Sequence, residues 1–141
     1  MDGARLFNAA VAQNLAARAL TRYVDSVTFC LSKGLCAPVG SVLCGSAEFI
    51  GKARRMRKAL GGGMRQAGVI AAAGIVALNE MVDRLCDDHV HARLLANRLA
   101  TIPGIVVQPE MVRTNMVFFE LTDDVRLSPA EIAARLAADA N

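Results

Sequence analysis

Two patterns of apolar and polar positions recur along this chain, and each predicts a different kind of element. Residues 27–31 form an unbroken β-branched and aromatic run, which predicts a buried strand of about five residues. A second apolar run at residues 39–44 predicts another strand. Gly34 permits a sharp turn between the two runs, and Pro38 disfavours helix at the residue before it. The pattern therefore predicts a hairpin with Lys33 at the end of its first strand.

Helical patterns flank this hairpin. Residues 6–24 are rich in alanine, which predicts a helix, broken around Gln13-Asn14, that returns the chain to the first strand of the hairpin. Ser46 is a suitable N-cap for a helix that carries apolar residues on one side and cations on the other, and residues 61–63, three glycines, end that helix.

Two further helices follow the glycines. Residues 67–78 are apolar on every face, which predicts a helix enclosed in a core or between subunits. Residues 83–100 predict an amphipathic helix. It carries His89 and His91, which point to different faces of the helix and cannot share a metal ion as an i, i+4 pair can. We interpret both as surface histidines.

The pattern changes after residue 104. Residues 105–107 and 116–119 are strand-like, and Ser128 with Glu131 forms a capping box that has Pro129 at the first helical position. The order strand, strand, helix predicts a small α+β unit at this end of the chain.

Composition restricts the partners. The chain has 141 residues, of which 54% are hydrophobic and only 4% aromatic, so its apolar surface exceeds what a small core needs and predicts faces that meet a partner or further chain. The net charge of +3 and the scarcity of aromatic residues argue against a nucleic-acid partner. No apolar stretch is long enough to span a bilayer.

Cysteine usage indicates a reducing compartment. Cys30, Cys36, Cys44 and Cys86 form no CxxC pair and are too few for a disulfide scaffold, so we expect reduced, buried thiols in a cytoplasmic protein.

Two residues are candidates for chemistry before any comparison is made. A lysine at the mouth of an apolar hairpin is poorly solvated, which favours the nucleophilic free amine of a Schiff-base lysine; the simpler alternative for Lys33 is a solvated turn residue. Asp2 before an apolar helical segment is, from its position alone, better explained as a helix-start residue near the positive end of the helix dipole.

Three motifs, DGARLFNAA, SKGLCAPVGS and LGGGMRQAG, occur in this order. Together they resemble the L-threonine aldolase family of low-specificity type, pyridoxal-phosphate (PLP) enzymes with the aspartate-aminotransferase-like fold (fold type I). The resemblance extends from Met1 to about Phe119. It implies an α/β chain in which residues 1–84 are the C-terminal part of the PLP-binding large domain and residues 85–141 begin a small α+β domain.

The resemblance also implies roles for individual residues. Lys33 matches the lysine that holds PLP, and Asp2 matches the carboxylate that pairs with the pyridine nitrogen. Arg5 matches the arginine that contacts the cofactor ring oxygen and the substrate carboxylate. Lys58 and Arg65 lie where the family has basic groups near the active site or the cofactor phosphate.

Cys36 occupies a position where we expect glycine in the family. A side chain at this position is tolerable if its φ is negative.

The implied activity is cleavage of L-threonine or allo-threonine to glycine and acetaldehyde, in a homotetramer with sites shared between subunits. We expect the chain to be a fragment with little activity alone, because the family's phosphate loop, stacking histidine and general base have no counterpart in it.

Two alternative functions stay open. One is another PLP enzyme of this fold, a β-eliminating lyase or a serine hydroxymethyltransferase-like enzyme; the other is a non-catalytic remnant that acts by packing against a partner.

Overall fold

The computed structural model describes residues 1–139, which form a mixed α/β chain. The chain divides into two compact units, the first comprising residues Met1–His89 and the second beginning at Val90. Each unit is described by itself below. The assignment of residues 1–84 and 85–141 to the large and small domains of a PLP enzyme stays a prediction.

The first unit begins with an extended segment that pairs with the following strand in parallel. Asp2 forms a parallel bridge with Thr28. Around this bridge the Gly3 N–H donates to the Thr28 carbonyl at 2.8 Å, and the Thr28 N–H donates to the Met1 carbonyl at 3.1 Å. The chain between the two segments forms α1 (Leu6–Ala12) and α2 (Ala17–Thr21). The predicted helical connection is confirmed, since parallel neighbours require a crossover of this kind.

The predicted break in this connection is also confirmed. Helix α1 is capped at its C-terminus by Gln13, and Asn14 then adopts a φ of +51°. Asparagine tolerates this left-handed region better than most residues, because its short polar side chain can bond locally. The pair Gln13-Asn14 therefore ends α1 and redirects the chain.

The predicted hairpin forms the centre of the unit. Strand β1 (Ser26–Cys30) pairs antiparallel with β2 (Ser41–Gly45), and the pairing matches Val27 with Cys44 and Phe29 with Val42. The second strand begins two residues later than predicted, because the loop that carries Lys33 extends to Gly40.

Helix α3 (Ala47–Ala59) follows the hairpin and has the predicted cap: the Phe49 N–H donates to Ser46 Oγ at 3.2 Å. The glycines end it as expected. Gly61 has a φ of +90°, and the Gly62 N–H donates to the carbonyl of Arg57 at 2.8 Å. A residue without Cβ is needed at such a left-handed position.

Helix α4 (Gly68–Val76) continues through a π-helical turn (Ala77–Met81), and α5 spans Leu85–Leu99. The prediction that the apolar α4 segment is enclosed by a core is wrong for this chain. Gly74 and Ala77 are buried, but Val69 and Ile75 are 84% and 59% exposed. Enclosure between subunits stays a prediction.

The core of the first unit lies beneath the Lys33 loop. It joins α1, β1, the loop and the beginning of α5 through a set of buried apolar residues: Leu6, Phe29, Leu31, Leu35, Ala37, Ala77 and Leu85. Phe7 and Phe29 meet edge to face with ring centroids 5.1 Å apart. Because three of these core residues, Leu31, Leu35 and Ala37, belong to the loop itself, the loop is anchored by the core.

The second unit contains a two-stranded antiparallel sheet of β3 (Ile105–Val107) and β4 (Phe119–Leu121), a 3-10 turn (Pro109–Met111) and α6 (Pro129–Asp139). Strand β3 is confirmed. The strand predicted at residues 116–119 is displaced: only Phe119 of that run is in β4, where it pairs with Val107. Ala92, Ala96 and Val112 are the buried residues of this unit's core.

The predicted capping box opens α6. The Ser128 N–H and hydroxyl both donate to Glu131 Oε2, at 2.8 and 2.7 Å, and the Glu131 N–H donates back to Ser128 Oγ at 3.3 Å. These bonds, first from the Ser128 backbone and then from its hydroxyl, lower the pKa of Glu131.

The four cysteines are free thiols, as predicted, but the prediction that they are buried is wrong for three of them. Cys30 is half-buried, whereas Cys36, Cys44 and Cys86 are exposed. None of the helices formed by residues 1–139 combines the length and the apolar character needed to cross a membrane.

Candidate active site

Lys33 lies in the turn that follows β1. The carbonyl of Lys33 accepts the Cys36 N–H at 2.8 Å, and the Ala37 N–H donates to the Leu31 carbonyl at 3.0 Å, so the loop closes on itself before β2 begins. The Lys33 side chain is exposed. The expectation that the hairpin itself desolvates this amine is therefore wrong for this chain.

Asp2 belongs to the segment that runs parallel to β1, and its bridge is to Thr28, in the middle of that strand. The segment continues toward the carboxyl end of β1, where the Cys30 N–H donates to the Ala4 carbonyl at 3.3 Å. Carboxyl ends of parallel strands share one edge of a sheet, where ligands bind in α/β folds. One oxygen, Asp2 Oδ1, accepts the Ala4 N–H at 3.2 Å, and the side chain is exposed. The carboxylate is thus oriented by its own backbone and open to a ligand.

Arg5 and Lys33 line a common cleft. Arg5 occupies the N-cap position of α1, and the cleft between it and the Lys33 turn also includes Ala4, Cys30 and Gly34. The cleft is small, about 10 Å³, and Asp2 is not among the residues that line it. Arg5 and Lys33 are therefore neighbours in the first unit, and the roles predicted for Asp2, Arg5 and Lys33 stay predictions.

Lys58 and Arg65, the other two predicted residues, lie elsewhere on this unit. Both side chains are exposed, Lys58 near the end of α3 and Arg65 after the three glycines. The Lys58 side chain folds over Gly63, where an added Cβ would lie 2.8 Å from Lys58 Nζ. Neither residue is among those that line the cleft. Their predicted roles stay predictions.

Asn8 and His89 are part of the cleft region and were not predicted as such. Asn8 lines the cleft, is only 3% exposed, and its Nδ2 lies 3.2 Å from Nε2 of His89. The prediction that His89 is a surface histidine is wrong: it is half-buried and hydrogen-bonded, whereas His91 is exposed as expected. An asparagine among the buried positions of α1, three residues after Arg5, was the available signal.

Cys36 corrects another expectation. Its φ is +59°, in the left-handed region, and not negative. Its thiol donates to the Gly34 carbonyl at 3.4 Å. A residue with Cβ is strained in this conformation, which explains why glycine was the expected residue at this position of the turn.

The donor set fits PLP. An amine at Lys33 suits the cofactor aldehyde, a carboxylate at Asp2 suits a protonated ring nitrogen, and a guanidinium at Arg5 suits a carboxylate. By contrast, across residues 1–139 no three or more His, Cys, Asp or Glu side chains are grouped to hold a metal ion.

Comparison with known proteins agrees with this chemistry. Residues 1–122 match the beta-eliminating lyase family. Low-specificity L-threonine aldolase 1 of Arabidopsis thaliana is 50% identical over 136 residues, which are 96% of this chain and 38% of the relative. The low specificity L-threonine aldolase of Escherichia coli K12 is 47% identical over 124 residues, or 88% of this chain and 36% of the relative. The chain therefore spans less than two fifths of the length of these relatives.

Solved structures agree in fold. A protein from Exiguobacterium sp. 255-15, assigned as an aromatic amino acid beta-eliminating lyase/threonine aldolase, superposes with a TM-score of 0.75 at 27% identity, covering 85% of this chain and 34% of its own. A Listeria monocytogenes protein assigned as an L-allo-threonine aldolase gives a TM-score of 0.76 at 23% identity over 84% of this chain and 33% of its own, which is evidence for the fold alone. The predicted resemblance is confirmed, and the chain belongs to the beta-eliminating lyase family, whose members are PLP-dependent enzymes.

Proposed function

We propose that this chain carries the cofactor lysine of a PLP-dependent aldolase that cleaves L-threonine and allo-threonine to glycine and acetaldehyde. One observation carries the proposal: Lys33 and Arg5 line one small cleft, and Asp2 lies three residues before Arg5 in the segment that pairs with β1. The names of the most similar relatives favour carbon–carbon cleavage over β-elimination or a serine hydroxymethyltransferase reaction.

PLP, when bound, supplies an electron-withdrawing ring that accepts the electron pair of the broken Cα–Cβ bond. Lys33 Nζ would hold the cofactor at its aldehyde carbon. Asp2, whose Oδ1 accepts the Ala4 N–H, would pair with the ring nitrogen and keep it protonated. Arg5 would orient the substrate carboxylate through its planar fork of N–H donors. Arg65 would contribute positive charge toward the cofactor phosphate, and Lys58 toward the substrate.

The partners follow from the same proposal. The substrate is a small β-hydroxy amino acid, and the enzyme acts in the cytoplasm as a homotetramer. The exposed apolar face of α4 supports a subunit contact, because isolated proteins rarely leave so much aliphatic surface in water. The expectation that these 141 residues alone have little aldolase activity also stays part of the proposal.

Reductive trapping tests the role of Lys33. The purified chain is mixed with PLP and treated with borohydride; the amine and the aldehyde join with loss of water, and a hydride from borohydride fixes the adduct as a secondary amine. Peptide mass spectrometry should find the adduct on Lys33 in preference to Lys52. Lys52 is a matched control, since it is an exposed lysine that pairs with Glu48 at 2.6 Å. Equal trapping at the two lysines would contradict the proposal.

A chimera tests the reaction. This chain replaces the matching segment of the E. coli relative, which supplies the rest of the enzyme. The chimera should release glycine and acetaldehyde from L-threonine, and Lys33→Ala should lower kcat at least a thousand-fold, on the order expected for loss of a covalent catalytic amine. Lys52→Ala should leave kcat unchanged. Pyruvate and ammonia as products, or a requirement for folate, would favour the alternative PLP enzymes.

A further inference from the structure

Asn8 is the polar side chain that needs explanation in the first unit. Helix α1 buries Leu6, Asn8 and Ala10. Asn8 is the least exposed of these three residues, at 3%. An amide taken out of water without a partner is costly, whereas leucine or alanine at the same position would need no partner. We therefore expect the Asn8 amide to make polar contacts that an apolar side chain at this position could not make.

Its first contact is with α5. Asn8 Nδ2 lies 3.2 Å from Nε2 of His89, and because an amide nitrogen only donates, the ring nitrogen is the acceptor in the tautomer that this contact favours. The two residues are far apart in sequence, and the bond joins the helix that follows Arg5 to the helix that contains His89. The histidine thereby fixes the direction in which the Asn8 amide points.

Its second contact is with the Lys33 turn. A Cβ added at Gly34 would lie 3.3 Å from Asn8 Oδ1, and 2.7 Å from Cδ2 of Leu85, which is 1% exposed. The residue next to Lys33 thus rests directly on the amide of Asn8 and on a fully buried leucine. Any shift of the Asn8 side chain changes the surface on which this turn lies.

We infer that Asn8 and His89 are positioning residues that hold the Lys33 turn in place, so that the amine meets the cofactor aldehyde in a fixed direction. This inference rests on the proposed function. Neither residue is assigned contact with the reacting atoms: His89 orients Asn8, and Asn8 supports the backbone at Gly34.

A purely structural bond between α1 and α5 would predict a different result. In that case loss of the bond lowers the stability of the whole unit and affects every lysine equally. A positioning role predicts a change confined to the Lys33 turn, at temperatures where the variant is fully folded. The trapping ratio of Lys33 to Lys52 and the hydrogen exchange of the Cys36 and Ala37 amides, which bond to the Lys33 and Leu31 carbonyls, separate the two.

The experiment uses the full 141-residue chain with PLP and borohydride as probe. His89→Phe keeps a flat ring but removes the acceptor, and His89→Gln keeps an acceptor oxygen. We expect His89→Phe to lower the trapping ratio about five-fold and to speed exchange of the Cys36 amide by a similar factor, as the loss of one net hydrogen bond predicts. His89→Gln should stay within about two-fold of the unchanged chain on the same scale. His91→Phe, an exposed histidine in the same helix, is the control and should change neither readout.

Unchanged ratios and exchange rates in His89→Phe and in Asn8→Leu would overturn the inference, provided that circular dichroism shows both folded. If they do not fold, NMR on the unchanged chain decides. A scalar coupling across the bond from Asn8 Nδ2 to His89 Nε2, with slow exchange of the Cys36 and Ala37 amides, supports the inference, and absence of either overturns it. Failure of the proposed function looks different, since PLP would then show no preference for Lys33 in the unchanged chain, while the exchange rates still report on positioning.

Discussion

Substitution of Cys36 by glycine removes a strained side chain from the turn that carries Lys33. Cys36 has a φ of +59°, and its side chain is exposed, so little packing is lost with it. The backbone bond from the Cys36 N–H to the Lys33 carbonyl, 2.8 Å long, does not involve the side chain and is retained. The only specific contact removed is the 3.4 Å bond from the thiol to the Gly34 carbonyl.

The expected gain in stability follows from two opposed terms. A residue with Cβ in the left-handed region is disfavoured by about 1–2 kcal/mol relative to its preferred conformations. Glycine in turn lowers the free energy of unfolding by about 0.4–1 kcal/mol, because it makes the unfolded chain more flexible. Loss of the thiol's hydrogen bond at the surface changes the free energy of unfolding little. The net effect is a rise of about 0.5–1 kcal/mol in the free energy of unfolding, or about 2–4 °C in Tm for a chain of this size.

Urea unfolding followed by circular dichroism under reducing conditions measures this difference. Cys36→Ala is the matched control, because alanine removes the thiol but keeps the Cβ and hence the strain; its stability should equal that of the unchanged chain or lie slightly below it. If Cys36→Gly were no more stable than Cys36→Ala, the strain at this turn would not exist in solution and the reasoning from φ would be refuted.

Two further changes test other parts of the structure. Gly34→Ala would bring a Cβ to 2.7 Å from a buried leucine and should cost about 1–3 kcal/mol of stability in urea titration. Gly51→Ala, in α3 with open space around it, should instead gain about 0.5–1 kcal/mol; similar losses at both glycines would refute the packing argument. Hydrogen bonds from the capping serine lower the pKa of Glu131, so its stabilising effect is complete above the usual value of 4.5 and is lost as pH falls through the lower folded-state pKa. The urea midpoints of the unchanged chain and of Glu131→Gln should therefore converge at low pH, and a constant gap would contradict this.

Local patterns were sufficient to predict much of the fold. The apolar run of β1, the break at Gln13-Asn14, and the caps at Ser46 and Ser128 each depend on neighbours within a few residues. The order of the motifs suggested the site residues: Arg5 and Lys33 line one cleft, and the roles assigned to them and to Asp2 stay predictions. The adjacency of Arg5 and Lys33 arises from a parallel pairing that a single sequence shows only indirectly, through the helical connection between the two segments.

Features set by distant contacts were missed or misplaced. The strand expected at residues 116–119 is displaced toward residue 121, because its register is fixed by pairing with β3 and not by its own apolar run. The bond between Asn8 and His89 joins two helices that no local pattern connects. The sign of φ at Cys36 depends on how the whole turn closes, and exposure of the cysteines depends on which faces this chain covers.

The contrast between the hairpin and the Asp2 segment has a consequence for the order of folding. The hairpin joins two neighbouring stretches and closes over one short loop, whereas the pairing of Asp2 with Thr28 closes a longer segment that contains both helices of the crossover. Contacts between neighbouring stretches form faster than those that close long segments. The turn with Lys33 therefore assembles first and the carboxylate joins it last. Partial melting of α1 should separate the Asp2 carboxylate from the Lys33 turn while β1 and β2 are still paired. The affinity for the cofactor should therefore decline before the hairpin unfolds.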